Sequence, residues 1–232
     1  MSSARRVLRV LDWSHSLVPY SQALHLQDKQ ALLCKQRAIP DTLILLQHPP
    51  TYTIGKRGSL ESDFKVPPED VIYSGAEIHH IPRGGETTFH GPGQLVAYPI
   101  LNLRRLGIGA RAYVEGLEDA VIATLSRFSI DAQGRQPGLT GVWTGNKKIC
   151  AIGVKISHGI TTHGLALNYS TKLEYFSSIV PCGVLDRGVT SVSLENPEAK
   201  SLDLLNDALT EEFAAHFKYD AMEDCKIDID SL

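Results

Sequence analysis

The chain has 232 residues, 43% of them apolar, and a formal net charge of −3, which suits one large buried core and, without a basic stripe, excludes a nucleic-acid binder. No apolar run approaches the roughly 18 residues that cross a bilayer, and the opening MSSARRVLRVLDW lacks a secretory apolar stretch, so neither a membrane nor export is expected. The four cysteines, Cys34, Cys150, Cys182 and Cys225, have no C-x-x-C spacing, which signals neither a metal site nor a disulfide framework.

In chain order, "RVLRVLDW" reads as a first strand, although the Ser- and Arg-rich, acid-free first ten residues also fit an organelle-targeting sequence. Pro19 opens a helix in which Tyr20, Ala23, Leu24, Gln27, Ala31 and Leu32 recur at spacings of three and four. "DTLILLQ" is a continuous apolar run ending at His48-Pro49-Pro50, the pattern of a buried strand followed by a rigid loop. A second helix is predicted over 109–127, with Ala110, Tyr113, Val114, Leu117, Ala120, Val121 and Leu125 on one face. "GVWTG", "KKICAIGVKIS" and "ITTHGLALNYS" follow as strands, separated by the turn signals Gly145-Asn146 and His158-Gly159. The last helix, 201–217, has Ser201 as N-cap and Leu202, Leu205, Leu209, Phe213 and Phe217 facing inward.

Strands joined by such short turns are antiparallel. The expected architecture is therefore α/β (α+β): one domain over 1–232 with a central mixed, largely antiparallel sheet and packed helices. No linker divides it, and 1–8 and 219–232 are expected to be peripheral tails.

Three stretches carry groups capable of chemistry. In "PRGGETTFHGPGQLVAYPI", residues 82–100, Gly84-Gly85 and Gly91-Pro92-Gly93 free the backbone while Arg83, Thr87, Thr88 and His90 place polar groups there; spacing alone leaves a structural loop ahead of a binding loop. It is not a Walker A loop. In "KKICAIGVKI" the alternation of a strand puts Lys148 and Cys150 on one face and Lys147, Ile149 and Ala151 on the other. A lysine in such a strand is ordinarily an edge residue, and His163 in "THGLALN" is by itself a core histidine more readily than a catalyst. In "SSIVPCGVLDRG" the cysteine between Pro181 and Gly183 reads equally as a buried filler, a disulfide half or an exposed nucleophile.

Taken together, "RGGETTFHGPGQLVAY", "KICAIGVKI", "THGLALN" and "IVPCG", with "QHPPTYTIGKRG" at 47–58, resemble the lipoyl(octanoyl) transferases, the octanoyltransferase family of the biotin/lipoate protein ligase superfamily. The resemblance runs from about Val10 to Phe217. It implies a biotin/lipoate protein ligase-like fold and transfer of octanoyl from octanoyl-acyl carrier protein to a lysine of lipoyl domains. These acceptors are the 2-oxo acid dehydrogenase E2 subunits and the glycine cleavage H protein. It also implies that Cys182 is the acyl-thioester nucleophile and Lys148 its partner. Arg83, Gly84, Gly85, Glu86, Thr87, Thr88, Phe89 and His90 would border the acyl chain, as would Ala151, Ile152, Gly153, Gly164, Leu165 and Ala166. His163 and Gly183 would support the site, and the bare backbone at Gly153 and Gly164 would leave room for the tail.

Thioester exchange followed by amide formation runs downhill without ATP, so no cofactor is expected. Both protein partners are acidic in that family, and Lys56-Arg57 and Arg104-Arg105 with Arg111 are candidate docking patches. A monomer in the mitochondrion is expected, with cytoplasm and plastid as alternatives. The rival readings are an ATP-dependent lipoate or biotin ligase, whose biotin-type G-R-G-R pattern is absent, and a non-catalytic binder of lipoyl domains or acyl carriers.

Overall fold

The computed structural model describes residues 5–180 and 187–227. The chain begins with β1 (Val7–Leu17), α1 (Tyr20–Lys35), β2 (Asp41–Gln47), β3 (Thr51–Ile54), α2 (Leu60–Asp63), α3 (Pro68–Tyr73), β4 (Glu77–His80) and β5 (Thr88–His90). It continues through β6 (Gln94–Ile100), α4 (Leu103–Leu106), α5 (Ala110–Ser126), β7 (Val142–Thr144), β8 (Lys147–Ser157) and β9 (Ile160–Asn168). After a 3-10 turn at Leu173–Ser178 come β10 (Gly188–Val189), α6 (Val192–Glu195), α7 (Leu202–His216) and β11 (Ala221–Asp224).

Eight strands form one mixed sheet in the order β10-β8-β9-β6-β2-β1-β11, with β7 also paired to β8; β4-β3-β5 form a small second sheet. The β2–β6–β9–β8–β7 run is antiparallel, and the expected short turns join β7 to β8 and β8 to β9. The pairs β1–β2, β1–β11 and β10–β8 are parallel.

The continuous apolar run of β2 has a direct cause. Leu43 and Leu45 face α5 and α7, packing with Leu117, Val121, Leu209 and Phe213. Ile44 and Leu46 face α1, packing with Ala23 and Leu26. Each such side chain withdrawn from water contributes about 1.5–3 kcal/mol, and both faces of the strand collect it. Ser201 caps α7 as expected, its side chain accepting from Leu204 N.

Two expectations need correction. The inner face of α1 is Tyr20, Ala23, Leu26, Gln27, Gln30 and Cys34, whereas Leu32 is 56% exposed and Leu24 only half-buried. Hydropathy favoured the leucines, but the buried glutamines sit over a polar part of the sheet. The tails are also shorter than expected. Leu8 is fully buried in β1, and β11 pairs alongside Val7–Val10 as an edge strand.

Candidate active site

Lys148 is 6% exposed while its neighbour Lys147 is exposed, the split that strand alternation requires. The edge position usual for a strand lysine is closed here because β8 passes between two short strands. Lys148 lies opposite Trp143 of β7 and Val189 of β10, before β9 joins at Cys150–Leu167. Its Nζ donates to the Thr140 carbonyl at 3.2 Å and stands 4.7 Å from the centroid of the Trp143 ring. A carbonyl and an aromatic face are partners that make a buried ammonium tolerable. The carbonyl is positioned by Glu118 of α5, itself buried, whose carboxylate accepts from the backbone N–H groups of Arg135 and Gly141, both at 2.9 Å.

Lys148 lines a pocket that opens between the loop before β5 and the strands β8 and β9. The loop before β5 and β5 itself supply Arg83, Gly85, Glu86, Thr87, Thr88 and His90; β8 and β9 supply Ala151, Ile152, Gly153, His163, Gly164, Leu165 and Ala166. Two expected residues stand apart. Gly84 donates its N–H to the Val154 carbonyl at 2.9 Å, and Phe89 points to the other side of β5, stacked on Tyr175 at 4.4 Å. Cys182 and Gly183 lie outside the described residues. Tyr20, Tyr98, Arg57, Gly138, Leu139 and Thr140 also line the pocket and were not anticipated. Tyr98 had a signal, its place in the glycine-rich motif; Leu139 and Thr140 sit on an irregular loop that had none.

Burial pushes the thiols of both Cys34 and Cys150 up to about 12, so neither is a nucleophile at neutral pH. At the pocket mouth Arg57 donates to Glu86 at 2.9 Å. Partial burial raises the Glu86 carboxyl, but the hydrogen bond and charge of Arg57, with the charge of Lys148, outweigh it and hold the group below its ordinary value. Of the candidate docking patches, Arg105 is committed to Asp41 at 2.5 Å and Arg111 to Glu115 at 2.7 Å, which leaves them less charge to offer a partner.

Arg83 and His90 brace the site. The Arg83 guanidinium donates to the carbonyls of Gly84 and Glu86 and to the carbonyl and hydroxyl of Thr53, all within 2.7–2.9 Å. This clamps the glycine loop onto β3. The directions of the next hydrogen bonds follow from the backbone carbonyls at their ends, which can only accept. Gln94 Nε2 donates to the Phe89 carbonyl and to Asn168 Oδ1, and Asn168 Nδ2 donates to the Thr190 carbonyl. Gln94 Oε1 therefore accepts from His90 Nδ1, and His90 Nε2 accepts from the Thr53 hydroxyl. Burial first, then the charges of His48 and Arg83, hold His90 well below its ordinary value. It is a neutral tie, with both ring nitrogens occupied. His48 is held likewise, donating from Nδ1 to the Val18 carbonyl and accepting at Nε2 from the Tyr98 hydroxyl, both at 2.7 Å.

The expectation that a bare backbone at Gly164 makes room for a ligand is corrected. A Cβ there would collide with the Ala97 carbonyl oxygen and lie 2.6 Å from Pro99 Cδ, so the glycine serves the close approach of β9 to β6. At Gly153 a Cβ would meet Arg83 Cδ and the Gly84 carbonyl oxygen at 3.0 Å, again a packing constraint.

In fold the chain is similar to lipoate-protein ligase A solved with ATP, with a TM-score of 0.76, 16% identity and coverage of 97% of this chain and 92% of that one. Fold and pocket thus define an α/β domain of the lipoate protein ligase type. The chain belongs to the family described as the lipoyl protein ligase A/B catalytic domain, whose model matches residues 19–214. It is similar to the mitochondrial octanoyltransferase LIP2 of Arabidopsis thaliana, 46% identical over 209 residues that cover 90% of this chain and 88% of that protein. It is also 46% identical, over 207 residues, to an octanoyltransferase of Solibacter usitatus, covering 88% of this chain and 91% of that one. A eukaryotic organelle and a bacterium at equal identity fix no compartment.

Proposed function

We propose that this chain is an octanoyltransferase that takes octanoyl from acyl carrier protein, holds it as a thioester on Cys182 and delivers it to a lysine of lipoyl domains. The acceptors in this reading are those of 2-oxo acid dehydrogenase E2 subunits and the glycine cleavage H protein. The observation that carries the reading is Lys148, a buried ammonium at a pocket walled by Ala151, Ile152, Leu165 and Ala166, in a chain 46% identical to octanoyltransferases over most of its length.

The chemistry follows from what these groups do. A nearby ammonium favours the thiolate of Cys182 over the thiol, which otherwise is only a few per cent ionised at neutral pH. The thiolate attacks the carrier thioester carbonyl, the carrier sulfur leaves, and Lys148 gives it a proton. The amine of the acceptor lysine then attacks the Cys182 thioester. An amide forms, the Cys182 thiolate is released, and neutral Lys148 takes the proton lost by the amine. The first step exchanges one thioester for another and the second is downhill, so the cycle closes without a nucleotide.

The mitochondrion is the compartment this reading favours, on the likeness to the plant mitochondrial relative, and imaging of a fluorescent fusion decides it. The activity is tested by mixing the protein with octanoyl-acyl carrier protein and an apo lipoyl domain in the absence of ATP. The lipoyl domain gains the mass of one octanoyl group; an absolute requirement for ATP, or no transfer, rejects the reading.

A further inference from the structure

We propose that Asn168 is a positioning residue for Lys148: its side-chain amide fastens β10 against the stretch of β8 that carries the ammonium, a role that rests on the octanoyl-transfer reading. The need for a fastening follows from the sheet. Strand β7 lies along one edge of β8 at both Lys148 and Cys150, so β9 and β10 share the other edge. There the pairing with β9 ends at Cys150 and Leu167, and β10 takes over at Lys147 and Lys148. Strand β10 is only two residues long, too short a ladder to hold itself in place.

Asn168 and Thr190 meet at this hand-over. Thr190 donates its N–H to the Lys148 carbonyl at 3.0 Å and its hydroxyl to Glu195 at 2.5 Å, while its own carbonyl accepts from Asn168 Nδ2 at 2.9 Å. That last bond ends a chain that runs in one direction. Arg83 donates to the Thr53 hydroxyl, Thr53 to His90, His90 to Gln94, Gln94 to Asn168 and Asn168 to Thr190. All six residues are buried. At the position of Asn168 such a chain accepts only a side chain that receives a hydrogen bond on one side and gives one on the other.

The consequence reaches the ammonium directly. Gln94, Asn168 and Val189 line a small cavity together with Lys148. Loss of the Asn168 amide leaves the Thr190 carbonyl without this donor and loosens β10, so water enters beside Lys148 and the ammonium is no longer held to one geometry. Proton transfer slows, whereas the apolar wall of Ala151, Ile152, Leu165 and Ala166 is untouched. The backbone bond from Ser193 N–H to the Tyr169 carbonyl, at 2.9 Å, keeps α6 docked on the end of β9 whatever residue stands at 168.

The test measures steady-state transfer from octanoyl-acyl carrier protein to an apo lipoyl domain, with circular dichroism as the check on folding. Asn168→Ala is expected to lower kcat about 10–100-fold and to leave KM for the carrier within about twofold of the wild type. Because Asn168 acts through Lys148, the same substitution made in Lys148→Arg lowers kcat by no more than about twofold. Equal losses in the two backgrounds, or a folded Asn168→Ala protein with wild-type kcat, overturn the proposal. Asn168→Asp tests it independently of the alanine variant. The aspartate keeps the size and the acceptor toward Gln94, but its carboxylate has no hydrogen for the Thr190 carbonyl until it is protonated, and burial favours the protonated form. Its kcat relative to the wild type therefore rises about fivefold or more from pH 8 to pH 6; a ratio that does not rise overturns the proposal. Near-normal turnover in Lys148→Arg overturns the proton role of Lys148 and this inference with it. A large loss in Lys148→Arg beside Asn168 variants that behave as wild type overturns this inference alone.

Discussion

The ammonium of Lys148 donates to the Thr140 carbonyl across 3.2 Å, although the two residues belong to a strand and an irregular loop. The loop is held by Glu118, so a carboxylate on α5 governs where the pocket's buried charge stands.

Lys148→Arg keeps the positive charge but holds its proton at neutral pH. If Lys148 moves a proton in both half-reactions, turnover falls by about 10²–10⁴. Steady-state transfer to a lipoyl domain measures this, and near-normal turnover in the arginine variant removes Lys148 from the proton path.

Glu118→Gln replaces one of two acceptor oxygens with an amide that donates, setting it against a backbone N–H. The loss is expected to destabilise the fold by about 1–3 kcal/mol and to lower turnover while the helix content is unchanged. Urea denaturation and circular dichroism separate these effects.

Acid should unfold this protein earlier than its carboxylates alone would dictate. Burial holds His48 at about 4, against the hydrogen bond to Val18, and burial with the charges of Arg83 and Lys155 holds His163 at about 3. In the unfolded chain both titrate near 6.5. The unfolded state therefore takes up protons below about pH 6.5 that the folded state refuses, and stability present above that pH is lost as pH falls toward the folded values. Between pH 7 and 5 the loss is about 2 kcal/mol for each of these histidines. Urea unfolding at the two pH values measures it. A flat profile would mean that these rings are protonated in the fold.

Gly164→Ala places a methyl group against the Ala97 carbonyl. The expected result is a loss of about 1–3 kcal/mol from overpacking, read as a fall in melting temperature. A stable variant with altered substrate length would return Gly164 to the role of making room for the tail.

Much of the architecture was legible because period and turn chemistry act locally. The buried strand at DTLILLQ, the hairpin at His158-Gly159 and the Ser201 cap each depend on neighbours a few residues away. The site was legible in its motifs but not in its geometry. Lys148 is buried because Trp143 and Val189 close the edge of β8, and Val189 comes from 41 residues downstream. The left-handed turn at His163 belongs to a residue that strand alternation would have sent to the other face. The glycine at 164 answers to a carbonyl on β6. In each case the deciding atom comes from another element, which no local pattern reports.

The central claim is that acyl transfer passes through Cys182. The most direct measurement is the intact mass of the protein after brief exposure to octanoyl-acyl carrier protein without an acceptor. The account predicts one octanoyl adduct, mapped to Cys182, cleaved by hydroxylamine, discharged when a lipoyl domain is added and absent in Cys182→Ala. Full transfer activity in Cys182→Ala, or an adduct on another residue that discharges at the catalytic rate, would contradict it.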